Sequence, residues 1–205
     1  MSIPRDVFLR GLEMIHSASM LTVQEATFLY EFAASFDRPI TWVELGVWCG
    51  RSYWSAGCGL PDGSTLIGVD EFSGKLPERE GSERIIQFCE SRMQHGMFRS
   101  VASALANMRN ACTFDVEPFK THDAASMEHP LIHSGIDVLV VDAAHDYESV
   151  KQDLADWLPK MRPGGTVLCH DYTKENRGVI RAVSERFSSI ILPNRTRFAR
   201  LEMPA

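Results

Sequence analysis

Cysteine is sparse in this sequence, and its few copies exclude two architectures. The five residues, Cys49, Cys58, Cys89, Cys112 and Cys169, are odd in number and form no C-x-x-C pair, which argues against a disulfide framework and a zinc ribbon. They read as buried reduced thiols that pack like small hydrophobes. Positive charge is also in deficit. Lys and Arg total 21 against 27 Asp and Glu, a formal net charge of -6, so no global basic field exists to hold a phosphate backbone and nucleic acid is not expected as a partner. Long apolar runs are missing too: the most apolar, Ile136 to Val141, spans about six residues with Asp137 inside it, against roughly 20 for a bilayer crossing. The opening Met1-Ser2-Ile3-Pro4-Arg5 lacks the apolar region of a signal peptide, so the expectation is a soluble, cytoplasmic protein without membrane contact. With 14 glycines, 10 prolines and no repeats, the chain is neither collagen-like nor disordered.

What remains is an ordinary globular composition over 205 residues, which at about 150 residues per domain predicts one domain with additions. Two helices come first. Phe8, Leu12 and Ile15 recur at helical spacing within Arg5 to His16. Thr22 and Glu25 form a capping box ahead of the stripe Ala26, Leu29, Tyr30, Ala33 and Phe36, which Asp37-Arg38-Pro39 stops. Residues 1–39 are therefore read as a helical extension, for acceptor covering or homodimer contact, and 40–205 as the main domain. From Ile40 onward strands alternate with helices. Strands are predicted at Ile40 to Leu45, Ser64 to Val69, Phe114 to Thr121, Ile136 to Val141, Thr166 to Cys169, Ser188 to Leu192 and Arg197 to Glu202. Helices are predicted from Ser52, over Ser82 to Gln94, Ala102 to Met108, Glu148 to Leu158 and Arg177 to Phe187. Only about four residues, Pro193 to Thr196, join the last two strands, too few for a parallel crossover. The predicted fold is α/β: a Rossmann-like, doubly wound, mostly parallel seven-stranded sheet with an antiparallel final hairpin and helices on both faces.

Three stretches carry chemistry. The turn Glu44-Leu45-Gly46-Val47-Trp48-Cys49-Gly50-Arg51-Ser52 has two glycines that admit a ligand close to the backbone and a serine able to cap the next helix. It is not the G-x-G-x-x-G of dinucleotide enzymes, which disfavours a nucleotide-dependent oxidoreductase. A carboxylate at the start of the loop repels pyrophosphate and favours a cofactor with a cationic group. Asp70 ends the second strand, where a carboxylate can accept both ribose hydroxyls. The third feature is Asp142-Ala143-Ala144-His145-Asp146-Tyr147 together with Pro163-Gly164-Gly165 and His170-Asp171-Tyr172, which places Asp142 and His170-Asp171 at neighbouring strand ends.

These motifs resemble the class I S-adenosylmethionine-dependent methyltransferases, in particular the small branch related to macrocin O-methyltransferase and cephalosporin-hydroxylase-like proteins. The resemblance covers Ile40 to Glu202. It implies S-adenosylmethionine as cofactor, with Glu44 and Gly46 at its methionyl part, Trp48, Gly50 and Ser52 in the same turn, Asp70 at the ribose, His122 and Asp123 near the adenine, and Asp142 beside it. Metal-using relatives place ligands at positions matching Asp142, His170 and Asp171, implying Mg²⁺ or another divalent cation, although an imidazole suits a transition metal better. His145, close to Asp142, is the expected general base. Arg177 and Arg181 lie one helical turn apart, where they either read an anionic acceptor or form a solvated face. Glu71 to Glu83, with two glycines and a proline, reads as an acceptor lid. The expected function is O-methylation of a hydroxyl on a small molecule, a sugar or natural-product intermediate. The alternative is a non-catalytic S-adenosylmethionine-binding partner or sensor.

Overall fold

The computed structural model of the chain describes residues 2–15, 20–73, 91–132 and 135–204. His16, most of the predicted helix Ser82 to Gln94, Cys89 and most of the lid segment lie outside the described residues. The two opening helices are α1 (Arg5–Met14) and α2 (Val23–Ala34). The capping box of α2 is complete: the Glu25 amide donates to Thr22 Oγ1 at 3.2 Å and the Thr22 amide to Glu25 Oε2 at 2.9 Å. Then follow β1 (Thr41–Leu45), α3 (Arg51–Gly59), β2 (Thr65–Val69), α4 (Ser91–Met108), β3 (Thr113–Glu117), α5 (Thr121–Ser126), β4 (Ile136–Val141), α6 (Tyr147–Trp157), a 3-10 turn (Leu158–Lys160), β5 (Met161–Cys169), α7 (Arg177–Arg186) and β6 (Ala199–Glu202).

The strands form one sheet in the order β3-β2-β1-β4-β5-β6, parallel throughout except for the β5–β6 pair. The winding reverses between β1 and β4, so the carboxyl ends of those two strands open the crevice where ligands sit in such sheets. Strand β4 is buried along its whole length, as its apolar run requires with helices on both faces. Trp42, Leu66, Val138 and Leu168 face a core shared with α1 to α4, whereas Val43, Ile67, Leu139 and Val167 face one shared with α5 to α7. The N-terminal helices are thus built into the first core: Trp54 Nε1 donates to the Phe8 carbonyl at 3.1 Å, and Tyr30 Oη to the Ile3 carbonyl at 2.7 Å. Asp137, the lone acid in the β4 run, is buried at the opposite end of the sheet, where it accepts from Arg38 Nη2, Arg162 Nη1 and the Thr41 amide at 2.8 to 3.1 Å.

Three predicted elements differ in form. The segment expected as a strand over Phe114 to Thr121 ends at Glu117, because Pro118 removes the next donor. Of seven expected strands, the described residues form six. Ser188 to Leu192 is reduced to one antiparallel bridge between Ile191 and Arg200, since Ile191 and Leu192 find nothing to bury them at the sheet edge and Pro193 follows. Ala102 to Met108 proves to be the second half of α4.

Candidate active site

Every strand that ends at the crevice delivers a polar side chain to it. Backbone hydrogen bonds run past the strand ends, from the Gly46 amide to the Val69 carbonyl (2.8 Å), the Asp142 amide to Leu45 (2.9 Å) and the His170 amide to Val141 (3.0 Å). Glu44, Asp70, Asp142 and His170 are therefore held in one row. Gly46 has a φ of +85°, and a Cβ there would press on the Asp142 carbonyl and lie 2.7 Å from the Ala143 Cα, so only glycine lets β1 and β4 close at this point. Three non-glycine residues with left-handed backbone, Trp48, Phe72 and Asp171, also sit at this edge. Such conformations persist where the surroundings over-determine them, and they concentrate at ligand sites.

Glu44 is fully buried. Ser52 Oγ donates to its Oε1, while its Oε2 has no hydrogen-bond partner among the described residues. Burial pushes its carboxyl up to about 8 despite the Ser52 bond, with Asp142 and Asp70 adding repulsion. Asp70 accepts from the Trp48 amide at 2.9 Å and the Phe72 amide at 2.7 Å, which fixes the two turns on either side of the cradle. Trp48, Gly50 and Ser52 all lie in the turn or the first turn of α3, as expected. His122 and Asp123 do not join them. They lie exposed on α5, where His122 Nδ1 faces Asp156 of α6 at 2.8 Å. Arg181 is likewise committed elsewhere, stacked 3.9 Å above the Tyr147 ring and paired with Glu185 at 2.9 Å.

The second cluster is a closed ring of charges. His170 Nδ1 lies 2.9 Å from Asp142 Oδ1, and its Nε2 lies 3.2 Å from Glu25 Oε1. Glu25 accepts from Arg197 Nε (2.8 Å), Nη2 (2.9 Å) and the Arg197 amide (3.0 Å). Arg197 Nη1 donates to Asp171 Oδ1 at 2.8 Å. His145 Nε2 closes the ring 3.0 Å from Asp171 Oδ2 and 3.7 Å from Asp142 Oδ1, in ion-pair range of both without an aligned hydrogen bond. Three carboxylates thus face one guanidinium and two imidazoles. Burial opposes charge on both histidines, but the carboxylates outweigh it and push His145 up to about 9 and His170 to about 10. The same partners hold Asp171 down at about 2 and Glu25 well below the usual carboxylate range, each against the effect of burial.

Asp142, His170 and Asp171 come together as expected of a metal set, each offering a ligand atom within 4.8 Å of the others. Their chemistry in this arrangement does not fit a resident ion. Both nitrogens of His170 face carboxylate oxygens, so both carry protons and neither has a lone pair to give, and Asp171 is held by a guanidinium. Two members of the ring, Glu25 and Arg197, were not legible as site residues: Glu25 reads as a helix cap and Arg197 as the start of an edge strand. A cavity of about 680 Å³ lined by Ile67, Val69, His129, Trp157 and Met161 includes none of the ring or of Glu44 and Asp70.

Comparison with known proteins agrees with the fold. A curated relative, the uncharacterized protein y4gI of Sinorhizobium fredii (strain NBRC 101917 / NGR234), is 42% identical over 45 residues, which is 22% of this chain and only 5% of that protein's length. Solved structures match nearly end to end at low identity. An O-methyltransferase from Bacillus cereus in complex with SAH shares 16% identity, with 98% of this chain and 92% of that one covered at a TM-score of 0.64. The O-methyltransferase TomG from Streptomyces achromogenes, involved in tomaymycin synthesis and solved with SAM, shares 14% over 99% and 92% of the chains at 0.64. At these identities the likeness establishes the class I fold. The family profile described as "Methyltransferase domain" matches residues 43–172, from the strand that carries Glu44 to the end of the His170-Asp171-Tyr172 motif. That span covers more than half of the sequence and includes Glu44, Asp70, Asp142, His145, His170 and Asp171, though not Glu25 or Arg197, and the chain belongs to this family of methyltransferase domains.

Proposed function

We propose that this methyltransferase uses S-adenosylmethionine to methylate a hydroxyl of a small molecule, a sugar or natural-product intermediate. The observation that carries this reading is the pairing of an acid-edged cradle, Glu44 and Asp70, with a titratable ring one strand away at Asp142, His145 and Asp171. A sulfonium cofactor suits the first, because buried carboxyls attract a cation and repel a diphosphate. An acceptor hydroxyl suits the second. In the transfer the acceptor oxygen forms a bond to the methyl carbon as the carbon–sulfur bond breaks, the sulfonium becomes a thioether, and the hydroxyl proton passes to a base. The protein contributes alignment of oxygen, methyl and sulfur, plus that base.

His145 is assigned as the base, oriented by Asp142 and Asp171. In the free protein those carboxylates keep it protonated at neutrality, and the arriving positive charge of the cofactor favours loss of that proton. Divalent-metal assistance is not part of the proposal, because Arg197 and His170 already supply positive charge to Asp171 and Asp142. The reading is tested by calorimetry with S-adenosylmethionine and by an acceptor screen scored for methyl transfer. Cofactor binding without turnover on any acceptor favours the sensor alternative, and binding of a nicotinamide nucleotide instead overturns the reading. With an acceptor in hand, His145→Asn is expected to lower kcat by about 10²-fold or more while cofactor affinity stays within about twofold. A chelator is expected to leave the rate unchanged.

A further inference from the structure

Arg197 reaches the charge ring through the register of the final hairpin. Strand β6 pairs antiparallel with β5, with Ala199 opposite Cys169. The count carried two residues further brings Phe198 to His170 and Arg197 to Asp171, and the Tyr172 amide, bonded to the Arg197 carbonyl at 2.8 Å, holds the segments together beyond the strand ends. The Phe198 ring packs 4.6 Å from the His170 ring, centre to centre, while Arg197 Nη1 donates to Asp171 Oδ1 at 2.8 Å. The rest of the guanidinium is committed. Its Nε and Nη2 form a fork on the two Glu25 oxygens at 2.8 and 2.9 Å, and Nη2 also donates to the Met20 carbonyl at 2.9 Å. Glu25 is itself fixed, being only 1% exposed and tied to Thr22 by the cap of α2. A cation is thus built in beside Asp171, delivered by the last strand and gripped by an opening helix.

A divalent ion and this arrangement compete for the same atoms. An ion on Asp142, His170 and Asp171 needs a lone pair from each, and their ligand atoms do lie within 4.8 Å of one another. Those atoms are taken: Asp171 gives Oδ1 to Arg197 and faces His145 with Oδ2 at 3.0 Å, while His170 faces Asp142 with one nitrogen and Glu25 with the other. The guanidinium would also confront the ion across Asp171, like charge against like. We propose that Arg197, clamped by Glu25, is the built-in cation of this site: it replaces a divalent ion at Asp171 and holds that carboxylate toward His145, so that the three potential ligands accept an ion only when the Glu25–Arg197 pair is removed. Arg197 is a positioning residue, since it acts on His145 through Asp171. Its part in methyl transfer rests on the function proposed above, whereas its exclusion of the ion does not. The two residues that decide this stand outside the span 43–172 that matches the family, one on each side.

The test is a Mn²⁺ titration of the intact chain, followed by loss of the electron paramagnetic resonance signal of the free ion. Wild type is compared with the double variant Glu25→Gln/Arg197→Met. Glutamine preserves the helix cap, and removing both charges together leaves neither one buried alone. The double variant is expected to bind one Mn²⁺ at least about tenfold more tightly than wild type, and Asp171→Asn added to it to return the affinity to the wild-type level. Arg197→Gln alone is expected to show the same gain in smaller measure, and it carries the test if the double variant does not melt cooperatively. Wild type that binds one Mn²⁺ as tightly as the variants and loses it with Asp171→Asn overturns the proposal, because the ring then admits an ion with Arg197 in place. A cooperatively folding variant with no gain overturns it too, because something other than the pair then blocks the ion. No cofactor or acceptor enters these titrations, so their failure is distinct from a failure of S-adenosylmethionine to bind in the calorimetry above.

Discussion

Glu44 and Asp70 end neighbouring strands, yet the fold treats them differently. Asp70 is spent on two backbone amides, Trp48 and Phe72, which shape the walls of the cradle. Glu44 keeps one oxygen unused and, with its carboxyl raised to about 8, holds a proton at neutrality. Binding a cation next to it requires that proton to leave. Affinity for S-adenosylmethionine is therefore expected to strengthen by up to about tenfold per pH unit from pH 6 to 8 and to weaken above that, as the ligand's own α-amino group, ordinarily near 8, loses its charge. Calorimetry across this range checks it, and Glu44→Gln should flatten the rise below pH 8. Asp70→Ala should weaken binding as well, through collapse of the turn it organises. Sequence reading identifies both acids from their place at strand ends, because strand termini in this fold class are predictable. The surroundings of His122 and Asp123 are not legible in the same way, since which face of a short helix meets the crevice depends on how that helix packs, and here His122 lies beside Asp156.

The turn between β1 and α3 works because its backbone takes conformations that side chains resist. Gly46→Ala is expected to cost about 2–4 kcal/mol, because φ is positive and the new Cβ meets the backbone at Asp142 and Ala143. A urea melt checks the stability loss, and a matched loss of cofactor binding is expected. Helices α5 and α6 carry a different burden. Thr121 Oγ1 donates to Asp153 Oδ1, but Oδ2 is buried without a partner, and burial pushes the Asp153 carboxyl up to about 6 from its ordinary 3.8. Between these values the folded state binds more protons than the unfolded one. Stability is thus greatest below about pH 4 and declines as pH rises to 6, by at most about 3 kcal/mol. Asp153→Asn should raise the melting temperature at pH 7 and leave it unchanged at pH 4. Periodicity reveals α2, α6 and α7 because each has one apolar face. It does not reveal α4 as a single helix, since residues on both sides of Gln94 read as separate segments until packing against α3 joins them.

For the whole molecule, the opening helices matter more than an appendage would. Residues 1–39 lie outside the family match, yet Ile3, Phe8, Leu12 and Leu29 share one core with Trp42, Trp54 and Phe98, and Glu25 supplies the carboxylate that ties α2 to Arg197 and His170. Glu25→Gln leaves those cations facing a neutral amide and is expected to cost roughly 2–4 kcal/mol, read from urea unfolding, with the largest loss near neutral pH where all members of the ring are charged. Composition, strand-to-helix alternation and the residues at strand ends are local properties. They suffice to determine the fold class, the cradle at Glu44 and Gly46, and the approach of Asp142 to His170 and Asp171, because parallel strands with right-handed crossovers leave their carboxyl ends side by side. The charge ring could not be read that way. Glu25 and Arg197 stand 172 positions apart and meet only because α2 packs over the end of β5 while the chain returns as β6, and that meeting decides which carboxylate His170 faces and which cation Asp171 faces.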